Sequence, residues 1–320
     1  MSKTVKLNKG FDIKLAGKAE KRMLDFQPAQ TFAIKPTDFV GMQRPKVLVN
    51  EGDMVQAGTP ILFDRKMEKV LYTSPVSGEV VEIKRGEKRK LLEIRILGDK
   101  EISYQEFGKL SADEIQAAER SQLVEQMIKS GVWPHIIQRP YGIVADPEDE
   151  PKAIFISGFD THPLAPDIAF TLQGQEQYFQ AGLSVLKKLT PGLVHLNLRD
   201  ASDNPPFFTN AQGVTVNRFS GAHPAGNVGV QIHHIDPINK GDIAWTVSPF
   251  GVAQIGKLFL EGIYDASKVI ALTGSEAKNT GYVKTYAGAC VEPLVKDNHN
   301  PGTIRVVSGN VLTGEKILSN

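Results

Sequence analysis

Apolar and polar residues alternate in short runs through roughly the first hundred residues, with glycines between the runs. KVLVNEGDMVQAGTPILF and GEVVEIKRGEKRKLLEIRI have the period of two that predicts half-buried strands. Val47 and Val49 alternate with polar neighbours, and Gly52 and Gly58 fall where tight turns are required. The period changes at SADEIQAAERSQLVEQMIKSG. Ser111 and Glu114 have capping-box spacing, Gly131 supplies a stop, and Ile115, Ala118, Val124, Met127 and Ile128 predict one apolar helical face. Next come an apolar strand (KAIFISGF), a helix (EQYFQAGLSVLKKL) and a second apolar strand (GLVHLNL), the order of a right-handed parallel crossover. DIAWTV, GVAQIGKLFLEG and KVIALTG predict a second crossover. From about Ser275, YVKTYA and TIRVVSGNVLTGEKIL return to short strands. The expected class is therefore a multidomain α+β and α/β chain with a three-layer, Rossmann-like centre.

Composition narrows the function classes. The 320 residues allow two or three domains, and 37 Lys and Arg against 36 Asp and Glu leave no charge excess for nucleic acid or a polybasic anchor. No apolar run approaches the roughly 20 residues that cross a bilayer. MSKTVKLNKGFDIKLAG has lysines but no apolar core after them, unlike a signal peptide. Cys290 is the one cysteine, too few for an internal disulfide or an iron–sulfur cluster. The expected setting is the cytoplasm, or a soluble subunit resting on a membrane partner.

Several motifs come close to known chemistry. EGDMVQAG and SPVSGEV frame Lys66 and Met67 as a biotinyl or lipoyl hairpin would. The interval from Lys66 to Pro75 is one residue longer than the biotinyl pattern, which predicts that the lysine slips off the hairpin tip. Neither Lys66 nor Lys69 has the expected setting, so an unmodified carrier fold is favoured. GAHPAGNV spaces Gly221 and Gly226 like a P-loop, yet Asn227 and Val228 stand where Lys and Ser or Thr would hold phosphate and magnesium. His223 and Pro224 are then loop residues with a secondary claim to lining a cleft. His233 and His234 are adjacent and would face opposite sides of a strand. His135, His162, His195 and His299 lack metal-ligand spacing, so no metal site is expected. Neither GxSxG nor GxGxxG occurs, so neither a hydrolase elbow nor a dinucleotide loop is expected.

KGFDIKLAG, FVGMQRPKVLVNEGDMVQAGTPILF, PVSGEVVEIKRGEKR, KAIFISGFDTHPLAPD, SGAHPAGNVGVQIH, GKLFLEG and RVVSGNVLTG follow one another in the order of a single family. The chain closely resembles the NqrA family of the bacterial sodium-pumping NADH:quinone oxidoreductase. That resemblance implies an unmodified lipoyl-like barrel-sandwich hybrid at 1–105, a Rossmann-like α/β domain without a flavin loop at 106–262, and an SLBB-type β-grasp module at 263–320. Family chains run longer, so this one resembles a C-terminally truncated member. The architecture is also similar to the flavin subunit of respiratory complex I and to the Rnf C subunit.

Those relatives hold FMN with a loop of the GxGGAGFPT kind. Here the stretch reads GVWPHIIQRP, and bulky Trp133, Pro134, Ile136 and Ile137 are expected to close the flavin site. The resemblance then implies a translocase subunit without catalytic residues, cofactor or metal of its own, inactive alone, and peripheral on the cytoplasmic side of the bacterial inner membrane. FMN, riboflavin and iron–sulfur centres would reside in other subunits. Its partners would be the other five subunits, NqrB to NqrF, chiefly the membrane-embedded NqrB, together with quinone and no nucleic acid. Phe39, Met42, Trp133, Arg139 and Tyr141 are the candidate quinone contacts. Gln231 replaces the first histidine of an HxHF segment found in some members. A flavin-dependent electron-transfer protein like Rnf C, a lipoyl or biotinyl carrier, and a pure scaffold remain as alternatives.

Overall fold

The computed structural model describes residues 2–318; residues 1, 319 and 320, the outer ends of the two terminal domains expected above, lie outside the described residues. The opening strand β1 (Thr4–Lys6) does not join the strands that follow it. Those are β2 (Thr31–Ile34), β3 (Pro45–Val47), β4 (Met54–Val55), β5 (Pro60–Asp64), β6 (Met67–Thr73), β7 (Gly78–Arg85) and β8 (Leu91–Gly98). They form an antiparallel sheet in the order β2-β8-β7-β4 and a second in the order β3-β5-β6. Ile61, Leu62, Val70, Val80, Ile94 and Ile96 are fully enclosed between the two sheets. Gly52 and Gly58 take φ of +90° and +100°, as the turns require.

The β5–β6 hairpin corrects one expectation. Lys66 has not slipped; it lies with Arg65 in the turn itself, because the β5–β6 ladder carries register shifts that absorb the extra residue. Buried Asp64 accepts hydrogen bonds from the backbone amides of Gln43, Arg44 and Lys66, which ties down the turn. The Lys66 ammonium donates to Gln43, and Lys69 pairs with Glu148.

The expected helix over 111–131 is two helices, α1 (Ala112–Ala117) and α2 (Arg120–Ser130), with Ala118 and Glu119 extended between them. Nine residues at about 100° each would put Ile115 and Val124 on opposite sides of one continuous helix. Breaking the helix buries both. The capping box is formed: Ser111 accepts from the Glu114 amide, and Glu114 accepts from the Ser111 amide. Ser111→Ala is expected to cost about 1 kcal/mol, read as a lower unfolding midpoint that Ser111→Asp restores.

A 3₁₀ turn over Trp133–His135 leads into β9 (Ile136–Arg139) and β10 (Ile143–Val144). Then follow β11 (Ala153–Ser157), α3 (Ile168–Thr171), α4 (Glu176–Lys188), β12 (Leu193–Arg199), α5 (Pro206–Thr209), β13 (Thr215–Ser220), α6 (Val228–Ile235), β14 (Ala244–Val247) and α7 (Pro249–Glu261). One seven-stranded sheet runs β1-β13-β12-β11-β14-β9-β10. β1, β13, β12, β11 and β14 are parallel, and β9 and β10 are antiparallel additions. The N-terminal strand thus completes the α/β sheet rather than the barrel-sandwich. Ile154 and Ile156 face the core beneath α4 and α7, while Ala153 and Phe155 face Ile232 and Ile235 of α6. These are the three layers.

KVIALTG does not enter this sheet. β14 already has β11 on one side and β9 on the other, so it offers no free edge to a strand arriving from α7. That strand, β15 (Ser267–Leu272), instead pairs antiparallel with β16 (Gly281–Tyr286). Arg22 and Leu24 of the N-terminal segment bond to Tyr282 of β16. α8 (Glu292–Val295) and the small ribbon β17 (Val306–Ser308) with β18 (Glu315–Ile317) follow.

Candidate functional site

In the seven-stranded sheet, successive parallel strands step from β11 outward to β12 and β13, then return to β14 on the other side of β11. Such a reversal leaves a crevice at the carboxyl ends of the two strands. A cavity of about 820 Å³ opens there, walled by Pro134, Ile137 and Arg139 on the β9 side and by Gly226–Val230 at the start of α6. Ser157 ends β11 at its floor. Its single hydroxyl proton has the carbonyls of Phe159 at 2.9 Å and Gly226 at 3.1 Å as acceptors, and its oxygen accepts from the Gln231 side chain.

β9 decides which residues of the replaced flavin stretch reach this space. Ile136 and Gln138 are buried, and Ile137 and Arg139, on the opposite face, line the cavity. Trp133 is also fully buried. Its indole N–H donates to the Ala145 carbonyl at 2.8 Å, and its ring meets Trp245 edge-on at 5.6 Å. The bulky stretch therefore does not fill the crevice as expected. Trp133 and Ile136 turn into the core, and Pro134 and Ile137 form a wall. Fit to FMN is nonetheless poor on this side, because no residue from Val132 to Gln138 is a glycine that would let phosphate approach the backbone.

The five quinone candidates divide. The loop holding Phe39 and Met42 lies against β10: the Val144 amide donates to the Val40 carbonyl at 3.2 Å, and Gly41 packs on Ile143. Tyr141, 83% exposed, stands on the turn between β9 and β10 beside that loop. Phe39 itself packs edge-on against Tyr72, 4.5 Å between centroids. Arg139 faces the cavity, and Trp133 faces neither region. His223 does not line the cavity; its Nδ1 lies 3.0 Å from the Thr161 hydroxyl, and its ring lies 4.6 Å from that of His162, which does line it. His233 and His234 are on α6, not a strand, and no group of three His, Cys, Asp or Glu suited to a metal occurs among the described residues.

A buried polar chain under the crevice escaped the sequence reading. The Asn197 amide donates to Gln231, Asn217 donates to Asn197, and Asn217 also lies 3.3 Å from Nδ1 of His195. The signal was present, since LVHLNLR and VTVNRF each place polar residues inside an apolar strand. Burial holds the His195 imidazole at about 4, well below its ordinary range, and does the same to His135. Between roughly pH 4 and 6.5 the unfolded histidine binds the proton that the folded one refuses. Stability contributed by neutral His195 is therefore complete above about 6.5 and falls as pH drops towards 4, by on the order of 3 kcal/mol. His195→Gln is expected to flatten the acid limb of the unfolding curve. An NMR titration placing the His195 midpoint near 6.5 in the folded protein would refute this.

Comparison with known proteins gives one consistent family. Its N-terminal barrel-sandwich hybrid domain, described as NqrA, matches residues 5–99; the NqrA second alpha/beta domain matches 118–264; and the NQRA C-terminal domain matches 269–319. The NqrA subunit of the Na(+)-translocating NADH-quinone reductase from Alcanivorax borkumensis is 38% identical over 314 residues, 97% of this chain and 68% of that protein. The protein of the same name from Marinomonas sp. is 37% identical over 313 residues, with the same coverages. A crystal structure of an NAD+-reducing [NiFe]-hydrogenase is 13% identical, covers 62% of this chain and 41% of its own, and aligns with a TM-score of 0.39, too slight a likeness to define the fold.

Proposed function

This chain belongs to the NqrA family, and from that premise we propose that it serves as the NqrA subunit of a sodium-translocating NADH-quinone reductase, without a redox centre of its own. The observation that carries this reading is the unbroken succession of three NqrA domain matches along the chain. The single cysteine and the glycine-free stretch after Val132 support the absence of a redox centre. Electrons would pass through FMN, riboflavin and iron–sulfur centres of the other subunits. The fold contributes surfaces to the assembly.

One such surface is the irregular N-terminal segment. Phe11, Ile13 and Leu15 are exposed by 84%, 49% and 44%, with Lys9, Lys14 and Lys18 close by in the chain. An apolar ribbon of this kind, interleaved with cations, suits a peripheral seat on the membrane-embedded NqrB at the cytoplasmic side. No described helix is long and apolar enough to cross a membrane. Phe11→Asp with Ile13→Asp in the full chain is expected to lower its retention on purified complex at least tenfold, with unchanged circular dichroism. Full retention would remove the ribbon from the interface.

Quinone would meet the surface made by Phe39, Met42 and Tyr141, with Arg139 behind it and Trp133 as packing. A photoreactive quinone in the assembled complex is expected to label residues 36–42 or 139–143. Labelling confined to other subunits would leave a pure scaffold. Purification of the chain from its host with membrane partners tests the whole reading; purification alone with bound flavin would overturn it.

A further inference from the structure

The two-stranded sheet of β15 and β16 has one covered edge and one open edge. Along β16, Tyr282 exchanges backbone hydrogen bonds with Arg22 and Leu24 of the N-terminal segment. No described segment does the same for β15. The Ala287 amide donates to the Ala266 carbonyl, and the register then pairs Lys268 with Thr285, Ile270 with Val283 and Leu272 with Gly281. In an antiparallel ladder alternate residues bond to the partner strand, and those between them point their peptide groups the other way. Lys268, Ile270 and Leu272 therefore bond to β16, and Val269 and Ala271 turn outward. Among the described residues, neither the N–H nor the C=O of Val269 or Ala271 meets a hydrogen-bonding partner.

This edge lies in a groove. Val269 and Ala271 line a space of about 620 Å³ whose other walls are the loop 163–166, Leu294 and Val295 of α8, and Val306 and Ile317 of the β17–β18 ribbon. The ribbon shares the groove with β15 but no hydrogen bond, since the two belong to separate sheets. Outward peptide groups recur at every second residue, about 6.6–6.8 Å apart along a strand. An extended backbone presents donors and acceptors at that spacing, so the chemistry selects a peptide over a compact small molecule. A second copy of this chain fits poorly, because its own β15 is equally recessed and neither strand would reach the other. The wall also sets the sign of charge. Asp160 already accepts from His162, and Glu276 from Ser275 and Asn300. Lys268, whose ammonium lies 5.2 Å over the Phe250 ring, and Arg305 form no salt bridge among the described residues.

We propose that this groove docks an extended peptide segment of another protein, apolar at alternate positions and carrying a carboxylate, which adds to β15 as a third strand. Its backbone satisfies the peptide groups of Val269 and Ala271. Its apolar side chains cover Leu294, Val295 and Val306, and its carboxylate pairs with Arg305. The site depends on neither the quinone surface nor the N-terminal ribbon assigned above.

Amide exchange in the full chain, followed residue by residue by NMR, tests the edge first. Without peptide, Val269 and Ala271 are expected to exchange about tenfold faster or more than Lys268, Ile270 and Leu272, whose N–H groups lie in the ladder. The probe is a blocked nonapeptide of alternating valine and threonine with glutamate at each end. Saturable binding with a dissociation constant below about 1 mM is expected, together with slowed exchange at Val269 and Ala271. Ala271→Pro removes an outward N–H and leaves the ladder bonds in place, since an edge strand tolerates proline where the N–H faces away from its partner. It is expected to weaken binding by about tenfold or more. Arg305→Glu, at an exposed position, is expected to keep the unfolding midpoint, weaken the glutamate-ended peptide by about two- to fivefold and favour a lysine-ended one. If Ala271→Pro lowers the unfolding midpoint, the decision passes to Arg305→Glu and to the same peptide N-methylated at every residue, which has no N–H to donate and is expected not to bind. Equal exchange across β15 in the free chain, no saturation, equal binding of the N-methylated peptide, or saturation without added protection at Val269 and Ala271 overturns the proposal. Protection of both amides that rises with protein concentration in the absence of peptide would assign the edge to a second copy and likewise overturn it.

Discussion

Gly182→Val and Gly256→Val are each expected to destabilise the α/β domain by about 3 kcal/mol or more, the upper end of what overpacking costs. A side chain at Gly182 would begin 1.9 Å from the Val252 carbonyl oxygen, and one at Gly256 would begin 1.8 Å from the Tyr178 carbonyl oxygen. All four residues belong to α4 and α7, which therefore touch backbone to backbone through their glycines. Neither carbonyl can rotate aside as a long side chain would. The helices must separate, and Phe179, Val185, Val252 and Phe259, all buried, would lose packing around the contact. Against a total of about 5–15 kcal/mol for a domain, this approaches loss of the fold. Urea unfolding followed by tryptophan emission measures it. Gly213→Ala is the control: φ is +77°, but nothing lies within 4 Å, so only backbone strain of about 1–2 kcal/mol applies. Equal midpoints for Gly182→Val and this control would show that the helices part freely.

Trp133→Ala is expected to cost about 3–5 kcal/mol, through the core and not through any ligand. The substitution removes the edge contact to Trp245 and leaves the buried Ala145 carbonyl without its donor. Trp133→Phe keeps one ring while losing the N–H and the rest of the five-membered ring, so it is expected to cost less than Trp133→Ala, with about 1–3 kcal/mol of the total coming from the unpaired Ala145 carbonyl. The pair also decides what Trp133 does in the assembled complex. A packing residue predicts a lowered unfolding midpoint for Trp133→Phe with unchanged quinone labelling. Changed labelling at an unchanged midpoint would make Trp133 a contact.

The sequence by itself determined whatever depends on a few neighbouring residues. The Ser111–Glu114 box, the stop at Gly131, the glycine turns at 52 and 58, and the parallel strands around EQYFQAGLSVLKKL all formed where their patterns indicated. Each is fixed by local backbone geometry or by burial on one or both faces, which a short window records. The order of the family's motifs likewise sufficed for the family.

Tertiary structure decided matters of pairing and facing. KVIALTG has the composition of a parallel strand, but β14 has no open edge to receive it, and the strand occupying that edge lies more than a hundred residues away in the chain at Ile136–Arg139. Thr4–Lys6 is too short to announce its partner 214 residues downstream, Arg218. Within GVWPHIIQRP, the 3₁₀ turn buries Trp133, and the strand period of β9 turns Ile136 and Gln138 into the core while presenting Ile137 and Arg139 to the crevice. A list of bulky residues cannot make that division, because it depends on which side of β9 the rest of the sheet leaves empty.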